Sequence, residues 1–328
     1  MDDGWLSSHR HAVEDAAVRI AAYVRRTPML ECDLDPSLLL KPECLQRAGS
    51  FKVRGAFNAI LRLMRERPEV RSVAAVSSGN HAQAVALAAR TLGLGCVVIM
   101  PQGSNPAKVK ATLALGAEVV SEGVTTENRE QQASELAAER GLVLVHPFAD
   151  WDVVHGQGTA GLELVADRPD VGLVAVPVGG GGLIGGTALV AASQRPPVRV
   201  IGVEPAAADD AARSLRERRP VRLERGPRTI ADGVRSLALG APGYEVAVER
   251  GLVEAIVTVT EQEIEAAVTL AAARLHLVVE PSGALPLAAW LGGRMPTVSD
   301  GRATALLLSG GNVDPRLLAR LLDGDPDR

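Results

Sequence analysis

Four lysines, Lys41, Lys52, Lys108 and Lys110, stand among 35 basic residues. Arginine carries the rest of the positive charge. It cannot serve as an amine nucleophile, whereas a desolvated lysine condenses with a carbonyl to a Schiff base. Lys52 lies in Ala48-Gly49-Ser50-Phe51-Lys52-Val53-Arg54-Gly55-Ala56, a turn leading into a helix. Taken alone, a surface lysine near a helix start is the plainer reading. Ser77-Ser78-Gly79-Asn80-His81 reads as a tight turn from a strand into a helix. Free N–H groups and the helix dipole make such a turn a carboxylate site. Ser77, Ser78 and Asn80 are equally good as ordinary caps. The local sequence leaves these two readings level.

Gly179, Gly180, Gly181 and Gly182, followed by Leu183, open another helix after an apolar run. A tight crossover needs one or two glycines; four leave backbone amides free to wrap a phosphate. The same stretch satisfies Gly180-x-Gly182-x-x-Gly185, with Glu204 at the end of the next strand, so a dinucleotide remains open on this motif. Glu204 and Asp210, with a backbone carbonyl between them, suit a hard cation. Solvated acids capping the next helix are the simpler alternative. No GxSxG elbow or HExxH is present, and the histidines show no zinc-ligand spacing beyond His9 and His11.

These residues need a scaffold. The 328 residues suffice for two domains or one large α/β unit with a smaller lobe. A 47% hydrophobic and 23% charged composition excludes a disordered or fibrous chain. The net charge of −4, with only three Phe, three Trp and two Tyr, argues against nucleic-acid binding. Cys32, Cys44 and Cys96 form no CxxC pair and are odd in number, which points to a reducing cytoplasm. No secretory signal is read at the N-terminus. Val171 to Gln194 carries no charge, but its proline and seven glycines suit a buried strand, a turn and a helix better than a membrane span.

Strands are expected at Val73–Ser77, Cys96–Met100, Glu118–Ser121, Leu142–His146, Leu173–Val178, Arg199–Glu204, Val253–Val259 and Ala303–Ser309. Between them the pattern predicts helices at Arg54–Arg67, His81–Leu92, Lys108–Leu115, Glu127–Arg140 and Glu261–His276. Such alternation indicates a parallel sheet covered on both faces. The unusual residues fall just beyond strand ends, where open α/β sheets bind ligands.

In order along the chain, the motifs resemble the serine/threonine dehydratase family of fold-type-II pyridoxal-phosphate (PLP) enzymes, which includes serine racemase. The resemblance runs from Arg26-Thr27-Pro28 and Leu40-Lys41-Pro42-Glu43 through the Ser50–Ala56 block and Ser77–Ala84. It continues through His146-Pro147-Phe148, Gly156-Gln157-Gly158-Thr159, the glycine run, Thr229–Val234, Glu280-Pro281-Ser282-Gly283-Ala284 and Ser309-Gly310-Gly311-Asn312. It implies that Lys52 carries the cofactor as a Schiff base, with Phe51 against the ring. Gly179 to Gly182 and Leu183 would hold the phosphate, Asn80 the ring hydroxyl and Ser309 the pyridine nitrogen. Ser77, Ser78, Gly79, Asn80 and His81, joined by Arg129, would surround the substrate carboxylate. Glu204, the Ala208 carbonyl and Asp210 match the family's divalent-cation site, for Mg²⁺ or Ca²⁺.

The expected architecture is α/β, with two lobes that each carry a mostly parallel sheet flanked by helices. Residues 1–71 and 150–328 would form the large PLP-binding domain and residues 72–149 the small one, with no C-terminal regulatory domain. The implied activity is that of a cytoplasmic L-threonine/L-serine ammonia-lyase, a homodimer that engages neither nucleic acid nor membrane. Serine racemase and 3-hydroxyaspartate dehydratase are alternatives on the same scaffold, since Ser78 stands where a hydroxyl could deliver a proton to the opposite face. A non-catalytic amino-acid-binding module is the remote one.

Overall fold

A computed structural model describes residues 3–125 and 128–324. Within them, ten strands form two sheets. They are β1 (Leu30–Glu31), β2 (Leu38–Pro42), β3 (Ser72–Val76), β4 (Gly95–Ile99), β5 (Glu118–Val120), β6 (Val143–Leu144), β7 (Val171–Pro177), β8 (Arg199–Pro205), β9 (Ala255–Val259) and β10 (Ala303–Leu308). The larger sheet runs β1-β2-β10-β7-β8-β9 and the smaller β5-β4-β3-β6. Every pairing is parallel except β1 with β2. All four strands of the smaller sheet lie in the interval between β2 and β7.

Parallel strands joined by helices are covered on both faces, so they read as unbroken apolar runs. β7 is buried at all seven positions. Its Val174 and Val176 pack into one core layer, and Leu173 and Ala175 into the layer behind. β3 divides in the same way, with Val73 and Ala75 on one side and Ala74 and Val76 on the other. The charge-free stretch after Asp170 forms β7, the glycine turn and the helix Gly182–Ala192, as its composition predicts. No helix among the described residues is long and apolar enough to cross a membrane.

Strand β2 is absent from the expected set because it is short and carries Lys41. That lysine is fully buried, and its ammonium donates to Glu163 Oε2 and to the Thr27 carbonyl, both at 2.7 Å. Arg54 joins the same cluster, donating to both carboxylate oxygens of Glu43 at 2.8 Å and to Glu163 at 2.7 and 2.9 Å. Two cations thus meet two acids, the arrangement that lets charge be buried at all. Lys41 is therefore a structural cation.

Helix Trp151–Asp167 was also hard to anticipate, because Gly156, Gly158 and Gly161 weaken helical propensity. Here the glycines permit backbone contact. A Cβ on Gly158 would stand 2.9 Å from the Gly186 carbonyl, and one on Gly156 would stand 2.6 Å from Gly55 Cα. Helices Asp3–Ile20, Pro281–Leu291 and Pro315–Asp323 are further elements outside the expected set. The predicted helices recur with shifted ends: Lys52–Glu66, Asn80–Leu92, Pro106–Ala114, Arg129–Arg140 and Glu261–Arg274. Glu127, the expected start of the fourth, lies outside the described residues, as does the tail from 325 onward.

Candidate active site

Three strand ends deliver three turns. β3 runs into Ser77–His81, β7 into the glycines and β10 into Ser309. A bridge between Ser50 and Gly310 ties the segment before Lys52 to the turn after β10. The Phe51 N–H donates to the Ser309 carbonyl at 3.1 Å.

Lys52 is the first residue of helix Lys52–Glu66. Its ammonium lies 5.0 Å from the Phe51 ring centroid and donates to the Pro147 carbonyl at 3.3 Å. Burial with no acid in direct contact lowers its pKa to about 8, with Glu280 opposing the shift from a distance. Such an amine still carries its proton for the most part at pH 7, but it yields the free base, the nucleophilic form, far more readily than an ordinary lysine.

Helix Asn80–Leu92 starts without a side-chain cap, so its first N–H groups face the turn unshared. The Gly79 N–H donates to Ser77 Oγ at 3.1 Å. Ser78 makes no side-chain hydrogen bond among the described residues. His81 is buried and its Nε2 donates to the Val145 carbonyl at 2.8 Å. Its pKa falls to about 3 through burial and then the Lys52 charge, so the ring is neutral. With its ring turned toward Val145, His81 offers the turn its backbone N–H. Arg129 opens helix Arg129–Arg140, and no side-chain bond ties it to the turn among the described residues.

The glycine turn is demanded twice over. Gly181 adopts φ +87, and a Cβ there would be 2.9 Å from Gly243 Cα. A Cβ on Gly180 would run into the Phe148 ring. Packing by Phe148 thus requires part of the run on its own. The helix it opens, Gly182–Ala192, again has no side-chain cap, leaving N–H groups at a positive helix end.

Glu204 and Asp210 meet, both buried. Glu204 accepts from the Ala211 and Ala212 N–H groups at 3.2 and 2.9 Å, so the capping reading holds for this residue. Asp210 Oδ2 is buried without a partner. Burial raises both carboxyl pKa values, that of Asp210 to about 7, and the Asp210 charge adds to the shift on Glu204. Two buried acids beside the Ala208 backbone, one with an orphaned oxygen, fit a hard cation. No cluster of three or more metal-binding side chains occurs among the described residues.

Several residues here had no role in the sequence reading. Glu280 is buried; its Oε1 accepts from Asn80 Nδ2 at 2.5 Å, and its Oε2 has no partner. Burial first, then Asp232, raises its pKa to about 7. Asn312 Nδ2 donates to Asn80 Oδ1 at 2.8 Å. Lys108 pairs with Asp232 and lies beside Gly79. In the sequence, Glu280 and Asn312 were marked only by their membership of the Glu280–Ala284 and Ser309–Asn312 motifs, Asp232 by the Thr229–Val234 motif, and Lys108 by being one of four lysines.

An uncapped glycine turn suited to a phosphate, a desolvated lysine and two mostly parallel sheets are the marks of a fold-type-II pyridoxal-phosphate enzyme. Residues 20–310 match the pyridoxal-phosphate dependent enzyme family, and the chain belongs to that family. It is 40% identical to an L-threo-3-hydroxyaspartate ammonia-lyase of Saccharomyces cerevisiae, over 96% of each chain. It is also 40% identical to a serine racemase of Arabidopsis thaliana, over 92% of each. Among solved structures, a T.th. threonine deaminase superposes with a TM-score of 0.86 at 48% identity, covering 93% of this chain and 98% of that one.

Proposed function

We propose that this chain is an ammonia-lyase acting on L-threonine and L-serine, giving 2-oxobutyrate or pyruvate and ammonia. The observation that carries the reading is the desolvated amine of Lys52, set among three strand ends beside two uncapped helix N-termini. When bound, the cofactor supplies an electron sink that makes the substrate α-proton acidic. Lys52 would hold the cofactor, and its Nζ would take the substrate α-proton. Phe51 would lie against the ring, and the amides of Gly179 to Gly182 and Leu183 would bind the phosphate. Asn80 would hold the ring hydroxyl. Ser309, a neutral residue just beyond β10, would partner the pyridine nitrogen without forcing a proton onto it.

The N–H groups of the Ser77–His81 turn hold the substrate carboxylate, with Arg129 completing the charge. Loss of the β-hydroxyl as water then yields an unsaturated amino acid that hydrolyses to the 2-oxo acid and ammonia. Glu204, the Ala208 carbonyl and Asp210 take a divalent cation. Residues 1–71 with 150–328 act as the large unit, residues 72–149 as the small one, and two chains form a homodimer. Racemisation of serine is the second reading. The unpartnered Ser78 hydroxyl supports it, since it is free to carry a proton.

The test is an absorption spectrum of the purified protein, followed by L-threonine, L-serine and L-threo-3-hydroxyaspartate in turn, with 2-oxo acid assayed after each. A visible band that changes with threonine or serine and releases oxo acid is expected. Release from hydroxyaspartate alone would transfer the substrate assignment to it. A band that changes without oxo acid would favour racemisation.

A further inference from the structure

Asn80 is the amide that the proposed function sets against the cofactor ring, and an amide can present either an N–H or an oxygen. We propose that Asn312 is a positioning residue: anchored on the Ala48 carbonyl, it locks the Asn80 amide with its N–H toward the ring oxygen. The inference rests on the cofactor reading above.

The polarity follows from a single fixed point. Asn312 Nδ2 lies 2.7 Å from the Ala48 carbonyl oxygen and 2.8 Å from Asn80 Oδ1. A backbone carbonyl can only accept, so the Asn312 atom facing it must be nitrogen. The second hydrogen of that nitrogen points at Asn80, whose facing atom must therefore be its oxygen. Asn80 Nδ2 is thereby turned the other way. It donates one hydrogen to Glu280 Oε1 at 2.5 Å and keeps the other for the site. The assignment of oxygen and nitrogen is dictated by the chain of partners.

The backbone is bent to supply that fixed point. Ala48 adopts φ +52 and ψ +20, one of three non-glycine residues with positive φ among those described. Gly49 follows at φ +70, and a Cβ on it would run into Asn312 Oδ1. Two successive left-handed residues direct the Ala48 carbonyl onto Asn312 and leave room for its side chain. A left-handed alanine is disfavoured by its Cβ and persists where its surroundings impose it, commonly at functional sites.

Asn312→Asp reverses the relay. A carboxylate cannot donate to Ala48, and it draws the Asn80 N–H toward itself, leaving Asn80 Oδ1 facing the ring oxygen and Glu280. The measurement uses protein reconstituted with pyridoxal phosphate and reads the cofactor dissociation constant and the pH midpoint of its visible band. Asn312→Asp is expected to weaken cofactor binding roughly tenfold and to move the midpoint. In an Asn80→Ala background the same change is expected to alter affinity by less than about twofold, because Asn312 then has nothing to orient. Equal effects in both backgrounds, or none in either, would overturn the proposal.

Asn312→Ala, which removes the donor without adding charge, provides the same cycle if the Asp variant does not fold. Failure of the parent chain to take up cofactor would defeat the functional reading separately. The relay is then read from melting temperatures of the free protein: non-additive losses for Asn312→Ala and Asn80→Ala sustain it, and additive losses refute it.

Discussion

At the scale of single residues, the chemistry depends on what burial does to a charge. Lys52 has an ordinary amine made reactive by removing its water and placing no acid in contact, which favours the neutral form. Since attack on an aldehyde needs the free amine, attachment of pyridoxal phosphate to cofactor-free protein should accelerate as pH rises through about 8 and level off above it. Stopped-flow absorbance against pH measures this, and Lys52→Ala should abolish the covalent attachment altogether. Asp210 shows the opposite sign, a carboxylate oxygen buried with no partner. Adding Mg²⁺ or Ca²⁺ should therefore raise the melting temperature by roughly 5 °C. Calorimetry on Asp210→Asn should show that gain lost.

At the scale of elements, small residues decide which helices can meet. The pair Trp151–Asp167 and Gly182–Ala192 approaches so closely that a Cβ on Gly186 would lie 2.5 Å from the Gly158 nitrogen. Gly186→Val should accordingly cost about 3 kcal/mol, read as a lower urea midpoint with an unchanged slope. This closeness explains why the first of these helices was not legible. Its glycines argue against a helix on propensity, and only the facing helix shows what they are for. β2 was missed for a related reason, because Lys41 looks wrong in a buried strand until Glu163, 122 residues away, neutralises it. By contrast β7 and β10 could be read almost to their ends, since strands covered on both faces are largely apolar runs, and β8 shows the same run between Arg199 and Glu204.

At the scale of the whole molecule, the two sheets are joined across the site by a few polar bonds. Lys108 on helix Pro106–Ala114 pairs with Asp232, and Asn105 at the start of that helix donates to Asp314 at 2.8 Å. Lys108→Met should loosen this side of the site, raising KM about fivefold and speeding hydrogen exchange in Pro106–Ala114 while the fold persists. The candidate site is marked in the sequence where a residue type is rare or chemically committed, as in the scarce lysines, four glycines in a row and a serine-rich turn after a strand; taken singly, Lys52 and the turn left plainer readings open, and only the order of the motifs along the chain set those aside. Those features follow from composition and local backbone geometry, which neighbouring residues determine. Glu280 and Asn312 were not legible, because their place beside Asn80 is made by pairings 200 and 232 residues apart. A side chain's type and near neighbours are set by the sequence alone, and with them the sheet class and the presence of a lysine at the start of a helix. Which amide end Asn80 presents, and how far Lys52 is stripped of water, are decided only when distant segments close around them and exclude solvent.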